Sequence, residues 1–274
     1  MEIVSESWHL YKNNWKKFLP FLILLFLPPL VLKILGTSTL YLQMYFSQTS
    51  IASNILIIIV YIIGAILAML TSIALTRAIA NTSLNQPFNW KSTLSTSTKL
   101  IFPVIWTTFL VGITLAGILL LLVILGFILL FWKSGAFFTI PLFFIGGMAT
   151  LILSLKFAVS LNFTFYTTAF DGARGINALR TSAALVNGRW WKILWRIFLP
   201  NFIFIILNFL IIITVFIALN AIPFPVIFLK SVIIDISLSL VNIIMTPLIM
   251  GCGIILYQNA KQNPVITTNT PPQV

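Results

Sequence analysis

The sequence predicts an all-α, polytopic integral membrane protein with about six transmembrane helices. Of its residues, 60% are hydrophobic and only 7% are charged, and the mean hydropathy is +1.10, whereas soluble domains average about 25% charged residues. The hydrophobic residues form continuous runs that are long enough to cross a bilayer. Backbone polar groups must be satisfied internally in lipid, so we expect each run to be a helix.

Six such runs follow one another along the chain. We predict spans at 18–36, 51–76, 100–131, 137–165, 197–221 and 232–257. The third and fourth exceed the roughly 20 residues of an upright crossing, so we expect them to tilt or to project as a hairpin closed near Lys133, Ser134 and Gly135. Residues 1–260 are predicted to be a single membrane domain. The segment 261–274, which is rich in Asn, Thr and Pro, is predicted to be a disordered cytoplasmic tail.

The basic residues are distributed unequally between the two sides of the predicted membrane domain. Three lie on one side, Lys33, Lys133 and Lys230, and Lys156 lies within a span. The other twelve of the 16 are Lys12, Lys16, Lys17, Arg77, Lys91, Lys99, Arg174, Arg180, Arg189, Lys192, Arg196 and Lys261. This bias predicts a multi-pass protein of the plasma membrane with both termini in the cytoplasm. The net charge of +12 is scattered among hydrophobic segments, so we predict no nucleic-acid partner.

Two segments that precede spans are amphipathic. Residues 3–16 and 172–187 are predicted to be interfacial helices that lie in the membrane plane. Their apolar stripes are Val4, Trp8, Tyr11 and Trp15 in the first and Ile176, Leu179, Ala183 and Val186 in the second. Asp171 stands at the expected N-cap of the second helix and Gly188 at its expected end. The alternatives are a soluble loop, or a stripe that packs on neighbouring spans.

Basic residues and tryptophans surround the second segment. They form the candidate interfacial site for anionic lipid headgroups or a protein partner: Arg174, Arg180, Arg189, Trp190, Trp191, Lys192, Trp195 and Arg196. Basic residues are attracted to an anionic leaflet, and tryptophan prefers the headgroup level. The alternative is that the arginines only fix the topology.

The two amphipathic segments also share residues at identical spacing. Ser7, Leu10, Trp15 and Lys17 correspond to Ser182, Leu185, Trp190 and Lys192. A weaker correspondence at 77–99 would make a threefold repeat of an interfacial helix plus a hairpin, about 85–90 residues long. The alternative is that any approach to a span attracts Trp and Lys.

Chemically reactive side chains are few. Glu2, Glu6, Asp171, Asp235, His9 and Cys252 show no recurring ligand or catalytic spacing, so we predict no enzyme activity, metal or cofactor. Lys156 is a candidate intramembrane functional residue, since a charge within a span is costly. The alternative is that its amine snorkels to the headgroups.

Residues 171–196 read DGARGINALRTSAALVNGRWWKILWR. This stretch resembles a segment of the membrane domain found in some bacterial glycerophosphoryl diester phosphodiesterases and in related stand-alone membrane proteins. The residues that match are Asp171, Gly172, Gly175, Ala178, Leu179, Ser182, Gly188, Arg189 and Trp190. This sequence departs from the family pattern in two ways. It has Ser160 where the family often has a basic residue, and no phosphodiesterase domain follows Tyr257. The resemblance therefore implies a membrane module without the esterase activity.

The function predicted from these features is non-enzymatic. We expect the protein to organise lipid, or a membrane or cytoplasmic partner protein, in the plasma membrane. The alternative is a subunit of a small-molecule or ion transporter or channel. A transporter needs polar groups that converge in mid-membrane, and the candidates are few: Lys156, Asn208 and Asn242, with some Ser and Thr.

Overall fold

A computed structural model describes residues 2–46, 51–131, 136–221 and 227–263. Within these ranges the chain forms nine helices and no strand. They are α1 Glu2–Phe46, α2 Ile51–Ser83, α3 Trp90–Thr98, α4 Ile101–Phe131, α5 Ala136–Leu161, α6 Thr164–Phe170, α7 Ile176–Val186, α8 Trp190–Ala221 and α9 Ile227–Gln262. Six segments of this part of the chain are long and apolar enough to cross a membrane. The predicted all-α, polytopic class is confirmed.

The predicted spans agree with these helices apart from their ends. The fourth span, predicted to continue to 165, is interrupted after Leu161, and α6 begins at Thr164. The last helix includes Lys261 and Gln262, and the predicted tail boundary at 261 stays a prediction. The predicted hairpin turn near Lys133 and the rest of the tail lie outside the described residues. The single domain over 1–260 stays a prediction.

The segment 3–16, predicted as an interfacial helix, is helical but continuous with the first span, and its position in the membrane plane stays a prediction. Helix α1 runs without interruption from Glu2 to Phe46, so the amphipathic stripe and the first span belong to one helix. Pro20, which cannot donate to the carbonyl of Lys16, lies inside this helix without ending it, as prolines often do in membrane helices. The second segment is a separate helix because Gly172, Gly175 and Gly188 interrupt the chain with φ of +69°, +54° and +74°.

The helices group into two compact units. The first comprises Met1–Ile101 and Ile197–Leu256. In it α1 packs along α2, and α3 packs on α2. Its core contains the fully buried Phe18, Phe21, Ile73 and Ile79.

The N-terminal part of α1 is fastened to α9 within the first unit. The buried Ser7 hydroxyl donates a hydrogen bond to the carbonyl of Leu248 at 2.8 Å. A cluster of Phe204, Leu248 and Cys252 also packs against Ile3, Val4 and Tyr11. Two residues of the predicted lipid-facing stripe, Val4 and Tyr11, are therefore used in helix packing.

The second unit comprises Phe102–Arg196 and Tyr257–Val274. Here α7 packs on α5 and α6 through the buried residues Ala178, Ser182 and Val186. Small residues at this face allow the helices to approach closely, and Ser182 donates a hydrogen bond to the carbonyl of Ser160 at 2.6 Å. Ser7 and Ser182, which correspond in sequence, thus make the same kind of contact. The threefold repeat itself stays a prediction.

Candidate membrane-interface site

The segment between α6 and α7 depends on its glycines. Asp171 is the C-cap of α6 and not the predicted N-cap of α7, whose N-cap is Gly175. The N–H of Gly175 donates to Thr107 Oγ1 at 3.3 Å, and a Cβ on Gly175 would lie 3.4 Å from the Trp106 ring. The positive φ of Gly175 favours glycine, while the Trp106 ring is at ordinary contact distance. The motif glycines therefore have a structural role.

The Asp171 carboxylate holds the C-terminal end of α9. Tyr257 donates its hydroxyl hydrogen bond to Asp171 Oδ2 at 2.6 Å, and the Lys261 amine forms an ion pair with Oδ1 at 2.7 Å. The Tyr257 ring is 2% exposed, and it stacks with Tyr166 and Phe170 at centroid distances of 5.8 and 6.1 Å. Asp171 is consequently an anchor for the last helix.

Arg189 completes the same anchor from the other end of α7. Its Nε donates to the carbonyl of Leu185 at 3.0 Å and its Nη2 to the carbonyl of Ala260 at 2.6 Å. Its Nη1 also donates to the carbonyl of Asn263. A helix leaves its last carbonyls without intrahelical donors, and a cation is favoured there. Arg189 is predicted to bind lipid, which stays a prediction; in the structure its guanidinium donates to the carbonyls of Leu185, Ala260 and Asn263.

The apolar stripe predicted on α7 is partly used in helix packing, which is the alternative left open for it. Val186 is buried and Leu179 and Ala183 are half-buried, whereas Ile176 remains 59% exposed. The buried face is centred on Ala178 and Ser182, so the helix is rotated relative to the predicted stripe. These are small residues, and their weak hydropathy did not reveal that they pack.

The first turns of α8 carry the exposed part of the candidate site. Trp191 and Trp195 are 54% and 51% exposed, and Lys192 and Arg196 are exposed beside them. The spacing of four residues places each pair on one side of the helix. Trp191 contacts Trp190, which is half-buried, and the exposed Trp195. Both contacts are edge-to-face, with ring centroids 5.1 and 6.1 Å from that of Trp191. We call Trp191, Lys192, Trp195 and Arg196 the α8 surface.

The other candidate residues lie apart from this surface. Arg174 precedes α7, Arg180 lies on it, and both are exposed. Lys156 is exposed on α5, five residues before the helix ends at Leu161. No residue in the described part of the chain forms an ion pair or hydrogen bond with the Lys156 amine. This position suits an amine that reaches along the helix to the headgroups.

A hydroxyl-lined cavity between α4 and the α5–α6 turn was not predicted. Its volume is about 150 Å³, and its polar lining is Thr107, Thr108, Asn162, Thr164 and Thr168. Thr164 Oγ1 is buried and has no hydrogen-bond partner among the described residues. The only signal in the sequence was the clustering of threonines at 164, 167 and 168, which is also ordinary within a membrane helix.

The fold defines a polytopic, all-α membrane protein, and the α8 surface is an exposed basic and aromatic patch at the start of one of its spans. Among the residues that the structure describes, no group of three His, Cys, Asp or Glu side chains is placed to hold a metal ion. No protein-family model, curated protein or solved structure matches the chain. The resemblance to the phosphodiesterase membrane domain therefore stays a prediction.

Proposed function

We propose that this chain is a non-enzymatic plasma-membrane protein that organises anionic lipid at the cytoplasmic leaflet. The observation that carries the proposal is the α8 surface, where two exposed tryptophans and two exposed cations share one side of a helix. Tryptophan is favoured at the headgroup level and cations near an anionic leaflet, where each is worth about 1 kcal/mol. A partner protein with an acidic surface would be recognised by the same groups.

The position of the α8 surface along the chain supports this assignment. After Arg196 the sequence has no charged residue until Lys230. The membrane boundary of this span therefore falls in the first turns of α8, where the tryptophans and cations lie. The proposed cytoplasmic leaflet for this boundary is supported by the twelve basic residues on the same predicted side.

The transport alternative receives less support. The polar mid-span residues Asn208 and Asn242 bind each other, with Asn208 Nδ2 donating to Asn242 Oδ1 at 2.8 Å. A side-chain hydrogen bond of this kind between two helices is a common packing device in lipid. This hydrogen bond favours a packing role for the two amides over a substrate path.

The proposal can be tested with brominated lipids, which quench nearby tryptophans. A variant that keeps only Trp191 would be reconstituted with brominated phosphatidylglycerol or brominated phosphatidylcholine. We expect preferential quenching by phosphatidylglycerol. The preference should fall several-fold in Lys192→Gln/Arg196→Gln and persist in the charge-matched control Lys12→Gln/Lys99→Gln. Equal quenching by the two lipids in the variant that keeps only Trp191, before the charge substitutions are added, would refute the proposal.

The proposed orientation has its own test. Single cysteines at Ser134 and Asn263, in a Cys252→Ala background, would be treated with an impermeant thiol reagent in intact cells. We expect position 134 to react and position 263 to react only after the cells are opened. Reaction at position 263 in intact cells would contradict cytoplasmic termini.

A further inference from the structure

A second group of cations lines an open cleft in the first unit. The cleft has a volume of about 450 Å³ and lies between α1 and the start of α3. Its walls are Lys16, Lys17, Pro20, Phe88, Asn89, Trp90 and Lys91. This volume is within the range of about 300–1,000 Å³ that is usual for small-ligand sites.

The three lysines of the cleft are not neutralised by nearby acids. The acidic residues in the described part of the first unit are Glu2, Glu6 and Asp235, and none of them lines the cleft. Glu6 lies ten residues before Lys16 on the same helix, which is about 15 Å away. Asp235 forms an ion pair with Lys33 at 3.0 Å. The cleft therefore carries three positive charges and favours an anion.

The other walls of the cleft are apolar and suit a molecule that is only partly charged. The exposed Trp90 ring lies 5.6 Å from the Lys91 amine, and Phe88 packs on the buried Phe21 at a centroid distance of 6.3 Å. Pro20 belongs to α1 one turn beyond Lys16. A free inorganic anion would use the lysines but gain nothing from these rings.

The cleft also lies at the depth of the lipid headgroups. On α1, Lys16 and Lys17 are the last charges before Lys33, and an apolar segment starts directly after them. This change marks the level at which the helix enters the hydrocarbon. Trp90 lies at the same level, where tryptophan is favoured. The amines thus face the phosphate layer while the apolar walls face the glycerol and upper acyl region.

We propose that this cleft binds the headgroup of one anionic phospholipid. Lys16, Lys17 and Lys91 hold the phosphate, for which lysine is a point-charge partner. The Lys17 amine also donates to Asn14 Oδ1 at 2.9 Å, which keeps this side chain along α1. Trp90 and Pro20 contact the glycerol region of the lipid. The site uses residues of the first unit and does not depend on the α8 surface.

Amine labelling of the unmodified protein tests this site. The protein would be placed in nanodiscs of phosphatidylcholine, with or without phosphatidylglycerol, and exposed briefly to an amine-reactive ester. Mass spectrometry would report the labelling rate of each lysine. We expect phosphatidylglycerol to slow labelling several-fold at Lys16, Lys17 and Lys91, and much less at the exposed control lysines Lys12 and Lys99. Equal protection of all five lysines would overturn a discrete site.

Two further arms identify the ligand and separate the two proposals. Inorganic phosphate added to phosphatidylcholine nanodiscs should leave the labelling of the three lysines unchanged. If phosphate protects them as well as phosphatidylglycerol does, the cleft binds a free anion and the lipid assignment is overturned. In Lys192→Gln/Arg196→Gln, protection of the cleft by phosphatidylglycerol should persist. If this protection of the cleft lysines is lost, the cleft has no binding site of its own. If only the lipid preference of Trp191 quenching is lost, the result bears on the α8 surface and not on the cleft.

Discussion

Gly251 lies opposite Ser7 where α9 and α1 meet in the first unit. A Cβ added at Gly251 would be 2.5 Å from Ser7 Oγ and 3.5 Å from Ser7 Cβ. Ser7 is 1% exposed, and its hydroxyl donates to the carbonyl of Leu248 at 2.8 Å. Gly251→Ala must therefore displace this hydroxyl and break its hydrogen bond.

Two opposing effects set the size of the change. Displacing the hydroxyl into a buried position without a partner costs about 1–3 kcal/mol, while alanine is favoured over glycine within a helix by about 1 kcal/mol. Gly251→Ala should therefore destabilise the protein by up to about 2 kcal/mol. In a Ser7→Ala background the nearest Ser7 atom that remains is Cβ at 3.5 Å, an ordinary contact. There the same substitution should be neutral or stabilising.

The assay is a double-mutant cycle of unfolding in detergent, using Ser7→Ala, Gly251→Ala and the double variant. Thiol reactivity of the buried Cys252 provides a local measure, since opening of the α1–α9 contact exposes it. Gly112→Ala is the matched control, because a Cβ there has no neighbour within 4 Å. If Gly251→Ala has the same effect in both backgrounds, the contact with Ser7 is not the cause.

Three other substitutions test contacts described above. Arg189→Gln should raise hydrogen exchange at residues 257–263 several-fold, because the last carbonyls of α9 lose their cationic donor, and unchanged exchange would contradict the anchor. Asn242→Leu should destabilise the α8–α9 contact by about 0.6–1.7 kcal/mol in a detergent unfolding assay, whereas Asn220→Leu, whose amide donates within its own helix, should have a smaller effect. Gly175→Ala should cost about 1–3 kcal/mol in the same assay, because its φ of +54° and ψ of −129° lie in a region that residues with a Cβ rarely adopt, and unchanged stability would contradict this reasoning.

The spans could be predicted from the sequence because lipid imposes length and hydropathy on each segment independently of its neighbours. The amphipathic pattern of 3–16 was equally clear, yet periodicity cannot show whether one helix continues into the next segment. On α7, Ala178 and Ser182 are buried although neither is strongly apolar. Helix packing in membranes depends on small size more than on hydropathy, so the predicted stripe was rotated from the observed face.

The candidate site was predicted only in part, for a related reason. Its exposed members on α8 follow from composition and local spacing. The partners of Asp171 and Arg189 are residues of α9, separated from them by 71 to 90 positions, and no local pattern indicates such contacts. The sequence therefore indicates a functional motif at 171–196. Two of its residues, Asp171 and Arg189, hold the end of α9.

The use of α9 by both units has a consequence for biosynthesis. Ser7 emerges from the ribosome 241 residues before its acceptor Leu248, and Asp171 emerges 90 residues before Lys261. Until the last helix has been made and inserted, a serine hydroxyl, a carboxylate and a guanidinium lack the partners that the finished protein gives them. Each unit is therefore incomplete until α9 has been synthesised and inserted.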